Sequence, residues 1–185
     1  MGSHWKTVYG KTEIFISDKA LMSILVSSVE VYKLECHGAL LGMRTQGRII
    51  VEYAVPFQAA KRKFAEVTPD WRRELKVTEI LPRLIHLEKI GYFHSHPQFG
   101  QYLGIPELSN PDIEYIQPGD VEMIVAINDA KKSQTWNETK RGLSGTLGKY
   151  HIVIAGFYKR KDGQIKRYKI ICPYAVGFDY AFADR

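Results

Sequence analysis

Six of the seven residues from Val121 to Ile127 are apolar. A run of that length and content reads as a buried strand, and a buried strand obliges the chain to build a sheet around it. Other segments supply the neighbours. Glu13 to Ser17 reads as a strand. Cys36 to Arg44 and Arg48 to Val55 read as two more, joined through Thr45, Gln46 and Gly47, with apolar content suited to central positions. Gly91 to His94 is a short strand. His151 to Lys159 and Gln164 to Ile171 form a hairpin through Lys161-Asp162-Gly163, a strong turn signal.

Helices are interleaved with these strands. Ser17 or Asp18 caps a helix running to about Val29, with Ala20, Leu21, Ile24 and Leu25 at helical spacing. Thr68-Pro69-Asp70 marks a helix start, with threonine as cap and an acid at the positive end of the dipole. Part of Ile80 to Lys89 reads as a second helical stretch with Pro82 near its beginning. Ser109 to Gln117 reads as a third. Asn128 to Tyr150 is a polar loop, of a length that is usually functional or disordered. The expectation is an α/β or α+β single domain whose strand order stays open.

The chain has 185 residues, which suits one domain. Met1-Gly2-Ser3-His4 resembles an expression-tag remnant, leaving residues 5–185 as the domain. Hydrophobic residues at 45% and charged residues at 25% argue against both disorder and a fibre. No apolar run approaches the roughly 18 residues of a membrane span, and the start does not resemble a signal peptide. Two cysteines, Cys36 and Cys172, are too few for a disulfide framework, so a reducing, cytoplasmic setting is expected. Lys and Arg number 26 against 20 Asp and Glu, a formal charge of +6. The basic residues come in short bursts such as Lys61-Arg62-Lys63 and Lys159-Arg160-Lys161, which suit a solvated surface, an acidic protein partner or nucleic acid. No ribonucleoprotein motif, zinc finger or Gly-rich phosphate loop accompanies them, so nucleic acid is not the expected partner.

The chemistry concentrates in Gly91-Tyr92-Phe93-His94-Ser95-His96-Pro97. Histidines at i and i+2 on extended chain share a face, so both imidazoles can approach one ion. Zinc takes such nitrogens at about 2.0–2.1 Å, and a catalytic site uses three protein ligands and leaves a fourth position to water. Pro97 ends the strand just past the second histidine. The same tetrapeptide also arises by chance on protein surfaces. Ser109-Asn110-Pro111-Asp112 offers a third ligand, and equally resembles a capping box with aspartate in the usual glutamate position. The two roles are compatible, because an aspartate in a first helical turn is held rigidly. Glu35 opens the strand that continues through Gly42. A carboxylate near zinc can accept a proton from water and return it to a leaving amine, although exposed glutamates are common.

Taken together, Glu35-x-x-Gly38-x-Leu40-x-Gly42, His94-Ser95-His96-Pro97 and Ser109-x-x-Asp112 resemble the JAMM (MPN+) motif of the Mov34/PAD1 metallopeptidases. The resemblance covers roughly Thr12 to Pro173. It implies a single MPN/JAB domain, a curved mixed β-sheet flanked by helices and similar to cytidine-deaminase-like architectures. It implies a zinc-dependent isopeptidase that removes ubiquitin or ubiquitin-like modifiers from conjugates. His94, His96 and Asp112 would be ligands to one zinc per chain, Glu35 the general base and acid, and Ser109 the donor to the developing oxyanion. The implied partners are the modifier and its conjugates, with a homo- or heterodimer compatible with the fold and no membrane involved. Processing of a ubiquitin-like sulfur carrier would use the same site. A non-catalytic MPN scaffold and a nucleic-acid-associated protein are the readings from other classes.

One departure from the family stands out. Members place about six residues between the proline and the serine, a tight connection, whereas eleven residues, Gln98 to Leu108, intervene here. The insertion must loop out beside the metal, where it would line or cover a substrate channel. Glu107, Glu114 and Asp120 are the fallback ligands should Asp112 not reach. His37 shares strand parity with Glu35 and is expected to face solvent or cap. Cys36 is expected in the core. His86 and His151 lack a motif and read as structural. Phe64 and Trp71 fall where the family varies its substrate-binding insertion, and suit core packing equally well.

Overall fold

The computed structural model describes residues 13–176, apart from 46, 58–60, 64–65, 69–70 and 141. In chain order the elements are β1 (Glu13–Ile16), α1 (Asp18–Glu30), β2 (His37–Thr45), β3 (Arg48–Pro56), β4 (Lys61–Lys63), β5 (Glu66–Thr68), α2 (Trp71–Ile85) and β6 (Glu88–Pro97). They continue with α3 (Asn110–Tyr115), β7 (Val121–Asp129), β8 (Asn137–Thr139), β9 (Gly142–Leu147), β10 (Tyr150–Lys159), β11 (Ile165–Ile171) and α4 (Pro173–Val176).

Nine strands make one sheet in the order β11-β1-β3-β2-β6-β7-β10-β9-β8, and β11 pairs in addition with β10. That pairing closes β11, β1, β3, β2, β6, β7 and β10 into a seven-strand barrel. The expected curved sheet flanked by helices, with its MPN and cytidine-deaminase-like architecture, is therefore corrected: strands dominate and the sheet is closed. The physical reason lies in β11. One edge bonds antiparallel to β10, from Gly156↔Tyr168 to Lys159↔Ile165, and the other bonds parallel to β1, from Glu13↔Lys169 to Phe15↔Ile171. Closure leaves none of the seven strands with an unpaired edge over those registers. Among the described residues, only α1, with 13 residues, and α2, with 15, exceed two turns.

The interior is one apolar cluster. It draws Leu40 from β2, Phe93 from β6, Met123, Val125 and Ile127 from β7, and Ile152 and Ile154 from β10. α1 adds Ala20, Leu21, Ile24 and Leu25 to the same cluster, the helical spacing legible in the sequence. Its cap is Ser17, whose Oγ accepts from Ala20 N at 3.1 Å and donates to the Glu52 carbonyl at 2.7 Å, tying the helix start to β3. Gly38 and Gly42 of the motif make room for neighbours. A Cβ on Gly38 would meet the Phe93 ring at 2.4 Å, and one on Gly42 the Ile50 carbonyl oxygen at 1.8 Å.

Two further expectations change. The stretch from Ile80 to Ile85 is the end of α2, with Pro82 in its last turn rather than near a helix start, and β6 already begins at Glu88. The polar segment 128–150 holds β8 and β9, organised around Trp136, which is 1% exposed and donates Nε1–H to the Thr146 carbonyl at 3.1 Å. Pro69, Asp70, Phe64 and the side chain of Trp71 lie outside the described residues. Among the described residues, no helix is long and apolar enough to cross a membrane.

Candidate metal centre

His94 and His96 lie in β6 on the face opposite Phe93 and Ser95, which are fully buried. The parallel pairing with β7 sets Tyr92 beside Glu122, His94 beside Ile124 and His96 beside Ala126. Paired residues share a face, so the histidines and Glu122 stand on the same side of the sheet. There Ile124, Ala155 and Phe157 form a second apolar cluster, covered in part by Leu108 from the insertion.

Each imidazole is oriented through its Nδ1. His94 Nδ1 lies 2.8 Å from Glu122 Oε1, and His96 Nδ1 lies 3.0 Å from the Ile105 carbonyl. A carbonyl can only accept, so His96 carries its proton on Nδ1 and its Nε2 holds a free lone pair. The two Nε2 atoms are 3.0 Å apart. Asp112 completes the group, with Oδ1 at 3.3 Å from His94 Nε2 and Oδ2 at 3.8 Å from His96 Nε2.

Asp112 is placed by its helix. Ser109 caps α3, its N–H donating to Asp112 Oδ2 at 2.7 Å while Asp112 N–H donates to Ser109 Oγ at 3.4 Å. Capping and presentation to the histidines coexist in one carboxylate. The far end of α3 is held by Lys159 of β10, whose ammonium donates to the Ile116 carbonyl at 2.8 Å.

The electrostatics follow from this packing. Burial works against charge on His94, but Asp112 and Glu122 outweigh it and push its pKa up to about 10. Burial and the charge of His94 hold His96 below its ordinary value. Burial opposes the charge of Asp112 as well, yet the hydrogen bond from His94 holds its carboxyl well below the usual carboxylate range. Without metal, a charged His94 bridges two carboxylates beside a neutral His96.

Glu35 is half-buried just before β2, and its carboxylate is close enough to act electrostatically on His96. The next residue fixes it: Cys36 N–H donates to Ser95 Oγ at 2.9 Å and Ser95 N–H to the Cys36 carbonyl at 3.0 Å. Cys36 is 1% exposed, as expected for a core thiol.

His37 departs from expectation. It is largely buried, stacked on Tyr92 with ring centroids 5.4 Å apart and with Nε2 3.7 Å from Glu74 of α2. The fallback ligands stay away from the group. Glu107 pairs with Arg167, Asp120 lies near Lys89 and Arg44, and Glu114 is exposed on α3. Glu122 is the site residue that sequence reasoning missed. Its signal was a lone charge inside the apolar run Val121 to Ile127.

The donor set suits a metal ion. Bonds of about 2.0–2.1 Å in tetrahedral geometry separate neighbouring ligand atoms by about 3.3 Å, close to the spacings found here. One ligand atom from each of His94, His96 and Asp112 falls within 4.8 Å of the others, the one such group among the described residues. A histidine that donates its second N–H to a carboxylate or carbonyl is the usual arrangement behind a metal.

No family model matches this chain, and no curated protein matches it. Among solved structures it is similar to the solution structure of protein DSY2949 from Desulfitobacterium hafniense. The two are 21% identical over 86% of this chain and 92% of that one, with a TM-score of 0.59. At that identity the likeness concerns the fold alone.

Proposed function

We propose that this chain is a zinc-dependent peptidase that hydrolyses the bond joining the carboxy terminus of ubiquitin or a ubiquitin-like modifier to an amine. The observation that carries the reading is the imidazole pair, with Nε2 atoms 3.0 Å apart, each Nδ1 already engaged, and both rings open toward Asp112. A zinc ion held there would supply Lewis acidity and lower the pKa of water to about 7.

The remaining work belongs to the chain. Glu35 accepts a proton from the attacking water on its carboxylate. The oxygen of that water bonds to the scissile carbonyl carbon, the C–N bond breaks, and Glu35 returns the proton to the departing amine nitrogen. Ser109 can donate its hydroxyl proton to the developing oxyanion while its oxygen still accepts from Asp112 N–H. The JAMM-like order of Glu35, His94-Ser95-His96-Pro97 and Ser109-x-x-Asp112 supports the substrate class, and the formal charge of +6 favours an acidic partner.

The test is a panel of ubiquitin-like conjugates and carboxy-terminally extended modifiers, a sulfur carrier among them, assayed with wild type and Glu35→Gln. Turnover should require zinc, stop on chelation and fall by about 10²–10⁴ in Glu35→Gln with zinc retained. Equal turnover by the two proteins would refute the role of Glu35. Zinc-loaded protein inert toward the whole panel would remove the proposed substrate class.

A further inference from the structure

The eleven residues from Gln98 to Leu108 form no helix and bury little apolar side chain: Phe99, Tyr102, Leu103 and Ile105 are all exposed. The segment is nevertheless held at both ends by polar contacts. Gln98 N–H donates to the Ile127 carbonyl at 2.9 Å, its Oε1 accepts from Asp129 N at 3.0 Å, and Glu107 pairs with Arg167 at the far end. Between them, Asn128 of β7, itself 8% exposed, binds one residue of the loop twice. Its Oδ1 accepts from Gly104 N at 2.8 Å and its Nδ2 donates to the Gly104 carbonyl at 3.1 Å.

Gly104 lies directly against the metal-site strand. A Cβ placed there would stand 1.9 Å from the His96 carbonyl oxygen, so no larger residue fits without moving the loop away. One residue further on, the Ile105 carbonyl takes the His96 Nδ1 proton at 3.0 Å. A loop that merely packed would bury its apolar side chains. This one covers only Pro106 and Leu108 in part, exposes Phe99, Tyr102, Leu103 and Ile105, and brings two successive residues of its backbone onto His96.

We propose that the insertion is a strut for the metal centre: Asn128 and Gly104 set the Ile105 carbonyl, which keeps His96 in the tautomer whose Nε2 faces the ion. The inference rests on the zinc reading above and deepens it. Asn128 is a positioning residue, acting through Gly104 and Ile105. Because the loop orients a ligand and the ligand orients the loop, zinc affinity and loop order are linked, and each strengthens the other to the same degree.

Two variants of the full chain test this, Asn128→Ala and Gly104→Ala, beside Tyr102→Ser, which changes a residue 73% exposed on the same loop. Zinc affinity is measured by chelator competition, and amide exchange of residues 98–108 is followed with and without zinc. Affinity should fall about 10–100-fold in Asn128→Ala and Gly104→Ala, with the zinc-dependent protection of the loop lost, while Tyr102→Ser stays at wild type. Should the buried Asn128 site fail to fold as alanine, Gly104→Ala decides alone, since it perturbs a surface loop. Wild-type zinc affinity in the folded variants overturns the strut and leaves the zinc site intact. An equal loss in Tyr102→Ser also overturns it. A wild-type protein that takes up no zinc removes the metal reading itself, and the strut with it.

Discussion

His94 stands between two carboxylates, Asp112 at 3.3 Å and Glu122 at 2.8 Å, and this sandwich governs how the centre responds to protons. Its pKa of about 10 means that zinc must displace a proton from Nε2 at neutral pH. Zinc affinity should therefore strengthen by about tenfold per pH unit through the neutral and mildly alkaline range. Chelator competition along a pH series measures this, and a flat profile would contradict it. Stability without metal runs the other way. The raised pKa of His94 contributes stability in full below its ordinary value of 6.5, and the contribution is lost as pH rises through about 10. Asp112, held low, contributes stability that is full above its ordinary value of 3.8 and is lost as pH falls from there toward its depressed folded value, below the usual carboxylate range. Glu122→Gln weakens the acceptor behind His94 and should cost about 10–100-fold in zinc affinity; unchanged affinity would show that the contact does not orient the ring. The histidine pair was legible in sequence because its i and i+2 spacing is local, whereas Asp112, beyond the insertion, was pointed to by the JAMM-like order of the segments and by its own cap. Glu122 was not, because only the pairing of Tyr92 with Glu122 across β6 and β7 brings it to the histidines.

At the level of elements, the strand–turn signals and the Ser17-capped helix were legible, since each rests on neighbouring residues. β8 and β9 were hidden by polar composition and are secured by Trp136 packing on Gly145, where a Cβ would meet the indole at 2.4 Å. The extent of α2 was obscured by Pro82, a residue that usually marks a helix beginning. α3 is the element on which the site depends most, with six residues and none buried. A helix so short gains little from its own hydrogen bonds and relies on its ends. Lys159 supplies the C-terminal tie through the carbonyls of Ile113 and Ile116. Lys159→Met should lower stability by about 1 kcal/mol and weaken zinc binding through loosened placement of Asp112. Thermal unfolding and chelator competition read the two effects separately. A stability loss with zinc affinity unchanged would show that the Ser109 cap alone places the carboxylate.

The whole molecule separates its core from its chemistry. The interior cluster runs from β1 to α4 through the closed barrel and includes none of His94, His96 or Asp112, which lie on the outer face under α3 and the insertion. Closure itself was not legible in the sequence, because it depends on Glu13 meeting Lys169 and Phe15 meeting Ile171, residues at opposite ends of the described chain. Zinc should accordingly stabilise an already folded protein, by about 4 kcal/mol at a thousandfold excess over its dissociation constant. Chelation should return that increment without unfolding the barrel, a result that circular dichroism beside thermal unfolding would show. Unfolding on chelation would make the ion structural instead. The most direct test of the account is the metal content of wild type and of His94→Ala/His96→Ala by elemental mass spectrometry after purification without chelator. About one zinc per wild-type chain, absent from the double variant, is the expected result. No bound metal in wild type even after zinc is supplied, or another metal retained in preference to zinc, would contradict it.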